Sequence, residues 1–327
     1  MKKFLALTLS VILLTVGTFA VACNPAADNV IRLSEVTHSI FYAPQYVALQ
    51  MGYFEEEGLD VQLADGAGAD NVMTALLTGE ADIGLMGCEA SIYVYLQGKK
   101  DYPKVFAQLT KRDGSFLVGR TGGEFDYSML EGKTVLMGRK GGMPAMILQY
   151  VLNNNGLYDG VNVTMDYSIQ FALLTQAFAG GTGDYVPLFE PNASLLEQQQ
   201  TGYIVSSIGK DSGEIPYTCY TATPEYLEKN GEKVEKFLRA VWKGYDYILN
   251  TPLKTVAELL EPLFPDTDVE IIESSLKNYL EGDVWTETPV VDREAFTRIQ
   301  DIMENAGELE KRVDYETIID TTVASAI

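Results

Sequence analysis

The sequence predicts an α/β fold of two doubly wound lobes facing each other across a cleft, with two hinge crossings and a helical C-terminal part. Three observations predict it. Short apolar strands alternate with helices from Ile31 onward, the alternation restarts after Gly114, and beyond Thr221 the pattern turns almost wholly helical. Repeated βα units predict parallel sheets with helices on both faces.

The elements follow in order. Ile31 to Val36 alternates like a strand, and Pro44 to Met51 reads as a helix with proline near its start, where a missing N–H costs little. Gly52 and Gly58 punctuate the turn into a strand from Leu59 to Leu63, and Gly58 is expected to cap the preceding helix in a left-handed conformation. Asp70 reads as the N-cap of a helix through Leu77. A strand from Ala81 to Met86, a helix from Ala90 to Leu96 and a strand from Val105 to Leu109 complete the first run. The second run places strands at Phe116–Val118, Thr134–Met137, Val161–Tyr167, Asp184–Val186 and Tyr203–Ser207. Its helices fall at Ala145–Asn154, Phe171–Phe178 and Ala193–Gln200. After Tyr217–Thr221, helical spacing governs Glu232–Leu249, Lys254–Leu260, Val269–Leu280 and Glu294–Glu304. The expected organisation is a leader over 1–22, a discontinuous first lobe of 23–114 plus 221–327, and a second lobe of 115–220 that includes the crossing segments.

The leader carries its own chemistry. Lys2 and Lys3 precede an uncharged apolar run from Phe4 to Ala22, and Ala20-Val21-Ala22 offers small residues at a cut site. Cys23 follows directly, which resembles the lipobox of bacterial lipoproteins, although Ala20 stands where leucine is commoner. The expectation is an exported chain held on the outer side of the cytoplasmic membrane by lipid on Cys23, with ordinary cleavage without lipid as the alternative. Removal of Lys2 and Lys3 takes the formal charge from −22 to −24. So acidic a chain is a poor partner for nucleic acid or anionic headgroups. Cys88 and Cys219 are the other cysteines, enough for one bridge at most. His38 is the single histidine, which argues against histidine-rich zinc sites and a Ser-His-Asp triad. No metal and no cofactor is expected.

One stretch is distinctive. Tyr42-Ala43-Pro44-Gln45-Tyr46-Val47-Ala48 leads to Gly52-Tyr53-Phe54-Glu55-Glu56-Glu57-Gly58-Leu59-Asp60-Val61, and later comes Leu77-Thr78-Gly79-Glu80-Ala81-Asp82-Ile83-Gly84. These segments and their spacing resemble a large family of periplasmic-type binding proteins. That family holds receptors for sulfonates, taurine, nitrate and thiamine-pyrimidine precursors, and a eukaryotic pyrimidine synthase of the same fold. The resemblance covers nearly the whole mature chain and is strongest from His38 to Gly87. It implies a monomeric receptor that delivers a small molecule to the permease and ATPase subunits of an ABC importer. Most of the quoted residues read as scaffold: Tyr53, Phe54 and Leu59 pack a helix on a strand.

In open α/β sheets ligands sit at the C-terminal ends of the strands. Five loops fall there. From the first lobe come His38, Ser39 and Tyr42; Gly66 in its Asp65–Ala69 turn; and Gly87, Cys88 and Glu89. From the second come Gly141, Gly142 and Met143, following Arg139 and Lys140, and Glu190 in Leu188–Pro191. Asp113, Tyr217 and Tyr220 belong to the crossings, and Phe171 to a helix start on the rim. The glycine pair before Pro144 offers backbone N–H groups to an anion or ring acceptor, or simply makes a tight turn. Tyr42 and Phe171 suit stacking on a planar ring. Glu89 and Glu190 suit a ring amine or a cation, or else solvation and helix capping. His38 reads as a hydrogen-bond donor on the cleft wall.

Three functions are open on these residues: an import receptor, an enzyme of the synthase branch, and a surface adhesin that needs no cleft. The synthase branch places a histidine in the loop before its P-x-Y-V-A-like segment and a cofactor-bearing lysine soon after. Here that loop offers Tyr42, His38 lies four residues earlier, and no lysine stands between Lys3 and Lys99. The residues therefore favour a receptor, and its acids and rings tilt the ligand toward thiamine or a pyrimidine precursor over a sulfonate or nitrate.

Overall fold

A computed structural model describes residues 29–327; the leader and Cys23 lie outside the described residues. The chain starts with β1 (Val30–Glu35), α1 (Ala43–Gln50), α2 (Tyr53–Glu56), β2 (Asp60–Asp65), α3 (Ala69–Thr78) and β3 (Ile83–Met86). It continues through α4 (Glu89–Leu96), β4 (Lys104–Thr110), β5 (Phe116–Gly119), β6 (Thr134–Leu136), α5 (Met143–Asn154) and β7 (Thr164–Asp166). Then come α6 (Leu174–Ala179), β8 (Tyr185–Leu188), α7 (Asn192–Gln198), β9 (Tyr203–Ser207), α8 (Ile208–Ser212) and β10 (Thr218–Ala222). Helices α9 (Pro224–Asn250), α10 (Leu253–Leu260), α11 (Val269–Glu281), α12 (Arg293–Asn305) and α13 (Tyr315–Ile318) finish it.

Two five-stranded sheets organise these elements, ordered β2-β1-β3-β10-β4 and β7-β6-β8-β5-β9. Each is mixed, not parallel as the βα alternation predicts. β10 runs antiparallel between β3 and β4, and β5 runs antiparallel between β8 and β9. The reason is topological: each of these strands enters its sheet from the other lobe and inserts against the grain. The two crossings run side by side, tied by Ile208 N–H to Ser115 O at 3.1 Å and Ile215 N–H to Lys111 O at 2.9 Å.

Local chemistry explains most element ends. Pro44 sits in the first turn of α1. Gly58 has φ +76° directly after α2, and Leu59 N–H reaches back to Phe54 O at 2.9 Å, a left-handed helix stop. Asp70 does not cap α3. Gly68 holds the cap position, and Asp70 lies in the first turn, where its carboxylate meets Arg139 instead. β7 is shorter than its apolar run, and β8 starts one residue late because the Asp184 carboxylate accepts from Thr134 N–H at 2.8 Å. α8 and the first two turns of α9 carry too little apolar periodicity to be read in the sequence; α9 departs from helical geometry at Asn230.

The core spans both lobes. Phe54 stacks on Phe237 at 5.2 Å, and Tyr220 meets Phe237 edge-on at 5.0 Å, which locks α9 over the first sheet. α9 and α10 pack on α1, while α11 also touches α7 and α12 touches α5. The C-terminal helices thus reach elements of both lobes. Among the described residues no helix is long and apolar enough to cross a membrane.

Candidate functional site

A cavity of about 610 Å³ opens between the two sheets at their strand ends. That is within the roughly 300–1,000 Å³ range of small-molecule sites. Of the residues singled out in the sequence, His38, Ser39, Tyr42, Gly87, Glu89, Gly142, Met143, Phe171, Glu190 and Tyr217 line it. Five do not. Gly66 turns its N–H back onto Glu35 O at 2.8 Å. Cys88 is fully buried in the core, as is Cys219; both are free thiols. Asp113 is buried in the crossing, where its Oδ1 accepts from Ser115 N–H and Oγ at 2.5 Å each; burial pushes its carboxyl up to about 6. Gly141 faces Glu308, and its carbonyl accepts from Tyr93 at 3.4 Å. Tyr220 lies in the core, with its hydroxyl donating to Gln45 Oε1 at 3.1 Å.

The glycine pair makes a turn, not a nest of free donors. Gly142 N–H closes on Arg139 O at 3.1 Å, and Pro144 removes another donor from the first turn of α5. Phe171 remains 38% exposed on the second wall, with Phe189 edge-on at 5.8 Å. Phe189 in turn contacts Phe41 at 5.4 Å and Tyr217 at 6.1 Å, so the rings form one continuous surface.

His38 lines the cavity, but both ring nitrogens are committed to protein. Nε2 lies 3.0 Å from Leu263 O, which only accepts, and Nδ1 lies 3.0 Å from Glu35 Oε1. Tyr46 donates to the Glu35 carboxylate at 2.8 and 2.9 Å, and Gln45 Nε2 donates to it at 3.0 Å. The ring therefore serves best as an imidazolium with two donors. Its bond to Glu35 raises the His38 value, while burial raises that of Glu35. Glu35, Tyr46 and Gln45 are buried scaffold beneath the cleft floor, and they hold the exposed His38 ring on the cavity wall. Glu35 carried no motif; its place at the end of β1 was the available signal.

The two acidic candidates differ. Glu190 is 1% exposed and fully engaged: Oε2 accepts from Ser194 N–H at 2.9 Å, and Oε1 accepts from Ser194 Oγ at 2.8 Å and Asn278 Nδ2 at 2.6 Å. It caps α7 and ties that helix to α11. Glu89 opens α4 and is 6% exposed, yet its Oε2 has no hydrogen-bond partner. Burial pushes its carboxyl up to about 7. The cavity also takes Asp65, Asp70 and Arg139; the last two pair at 2.9 Å across the mouth. Asp65 and Arg139 fell inside loops the sequence pointed to; Thr37, Thr175, Asn192 and Thr218 carried no sequence signal.

Two mixed α/β sheets with a cleft at their strand ends and two crossings define a two-lobed fold of the periplasmic-binding-protein type. The periplasmic aliphatic sulphonate binding protein SsuA from Escherichia coli shares it, with a TM-score of 0.72 at 18% identity, covering 91% of this chain and 99% of that one. The chain belongs to the NMT1/THI5-like family, whose model matches residues 40–255. It is 43% identical over 298 residues to the Bacillus subtilis (strain 168) protein named as binding protein YtlA, covering 91% of this chain and 89% of that one. It is 24% identical over 249 residues to the 4-amino-5-hydroxymethyl-2-methylpyrimidine phosphate synthase THI11 of Saccharomyces cerevisiae, covering 72% of each.

Proposed function

We propose that the protein is the solute-binding component of an ABC importer, exported and lipid-anchored at Cys23, with the lobe boundaries given above. It captures a planar heteroaromatic solute that carries an amine or a cationic centre, of the thiamine or pyrimidine-precursor kind. The observation that carries this reading is the Glu89 carboxylate, buried with a free Oε2 in a cavity whose other wall is aromatic. A buried unpartnered carboxylate oxygen is costly unless a ligand donor completes it. The similarity to YtlA and the two-lobed fold support a receptor. The synthase reading lacks support at the residues: Tyr42 stands in the loop where that branch has histidine, and His38 is bound to Glu35 and Leu263.

Arg139 favours a second reading, a sulfonate- or nitrate-like anion, and the likeness to SsuA is consistent with it. The pairing of Arg139 with Asp70 weakens it. A thermal-shift screen separates the two. Thiamine or an aminopyrimidine at a hundred times its Kd stabilises the folded chain by about 2.7 kcal/mol. A rise with taurine, alkanesulfonates or nitrate, and none with the heteroaromatics, would reverse the assignment.

A further inference from the structure

We propose that Glu89 is the proton-exchanging recognition group of the cleft: it receives an N–H or cationic centre of the ligand, and a proton leaves to solvent as the ligand seats. The inference rests on the ligand class proposed above and adds the regulation of that site by pH.

Geometry puts the carboxylate there. A Cβ on Gly87 would lie 2.0 Å from Glu89 Oε2, so the carboxyl occupies the space that a side chain at 87 would take. Glycine at 87 therefore lets the acid fold over the end of β3 at the cleft floor. The groups around it do not neutralise it. Arg139 favours its anion and Asp70 opposes it, and these two pair with each other across the mouth. Tyr93 on the same helix, Cys88 beside it, and Cys219 and Tyr217 from the crossing strand are neutral groups held protonated mainly by burial. The first-turn N–H groups of α4 favour the anion, but burial outweighs them.

With a folded-state value about 7 against 4.5 for the free side chain, the empty site holds both the acid and the carboxylate near neutrality. A cationic or N–H-donating ligand selects the carboxylate and depresses its value in the complex. In the acid form, Glu–CO₂H plus the cation gives the Glu–CO₂⁻ ion pair and one H⁺ in water; no oxidant or co-reactant is involved. The sign follows: affinity is full above about pH 7 and is lost as pH falls. From pH 8 to pH 6 the loss is about tenfold, with about 0.9 proton released per ligand at pH 6.

The test uses the full mature protein with glutamate carboxyls labelled by ¹³C, and Glu89→Gln to assign the resonance. Thiamine and 4-amino-5-hydroxymethyl-2-methylpyrimidine are the probes, and both carboxyl titrations and Kd are read from pH 5 to pH 9. The expected result is a near-neutral midpoint in the free protein, a midpoint below about 5 with the probe bound, and a pH-independent, weaker Kd in Glu89→Gln. A free midpoint below 5 overturns the inference and leaves the ligand class standing. So does a probe that binds equally at pH 6 and pH 8, or a Glu89→Gln protein that keeps the pH dependence. Failure of both probes to bind at any pH overturns the ligand class and the inference together. Gly87→Ala provides a second variant. It is expected to weaken binding at pH 8 in the wild-type background and to have little effect beside Glu89→Gln; an equal loss in both backgrounds would remove the positioning role of Gly87.

Discussion

The cleft wall of the first lobe is acidic and already organised, whereas that of the second is ringed with aromatics and methionine. On the first side, Glu35, Tyr46 and Gln45 lie beneath the floor and hold His38 on the cavity wall, where Asp65, Asp70 and Glu89 also stand. On the second side stand Met137, Met143, Phe171, Leu188 and Phe189, with Arg139 at the rim. The difference teaches a division of labour. Carboxylates sit mainly on the first lobe, and the second adds apolar coverage that continues into the Phe41 and Tyr42 rings of the first. A ligand that touches both walls favours closure only by its differential affinity for the closed arrangement.

Glu190 is the residue that tests this division most severely, because it is an acid on the apolar wall. Its oxygens point into α7 and α11 and not at a ligand. Glu190→Ala strands the Ser194 N–H and the Asn278 amide, and is expected to cost about 2–3 kcal/mol of stability in urea unfolding. Glu190→Gln keeps the shape and is expected to keep ligand affinity within about twofold, a change of about 0.4 kcal/mol. Loss of binding in the glutamine variant with unchanged stability would move Glu190 into the ligand site and break the comparison.

Much of this is legible in the sequence. The period-two and period-3.6 runs located nearly every strand and helix, and the restart after Gly114 marked the second sheet. Strand direction was not legible, because β5 and β10 look like their parallel neighbours; antiparallel insertion follows from the path of the chain between sheets. For the cavity, the strand-end rule found the right loops but not which side chain in each loop faces inward. Gly142 and Glu89 face it while Gly141 and Cys88, one residue away in each case, do not. The state of Glu190 depended on Asn278, 88 residues on, which no local pattern reveals.

Phe171 carries the next expected effect. It is more exposed than any other ring of the aromatic surface, at 38%, so its removal leaves little cavity in the free protein. Phe171→Ala is expected to change stability by under about 0.5 kcal/mol. Loss of a stacking face is worth about 1–2 kcal/mol to a planar ligand, roughly a five- to thirtyfold rise in Kd. Isothermal titration of the variant checks both the ring and the claim that the second wall binds by apolar contact. An unchanged Kd would place the ligand on the first wall alone.

The smallest expected effect is the most informative about charge. Arg139 and Asp70 pair at 2.9 Å across the mouth, with side chains 51% and 82% exposed. An ion pair so wet contributes about 0–1 kcal/mol and fades with salt. Arg139→Gln should therefore leave the melting temperature nearly unchanged. Its effect on binding depends on the sign of the ligand. For a cationic or amine-bearing solute, removing the cation leaves Asp65, Asp70 and Glu89 unopposed at that rim, and affinity should hold or rise by up to about threefold at low salt, about 0.65 kcal/mol. For an anionic solute, Arg139 is the single Lys or Arg among the residues lining the cavity, and its loss should weaken binding by about tenfold or more. Titrations of the same variant with thiamine and with taurine, at low and at physiological salt, read the sign directly. A collapse of binding in Arg139→Gln would mean that the second wall supplies the charge, and the assignment of charge to the first wall would have to be reversed.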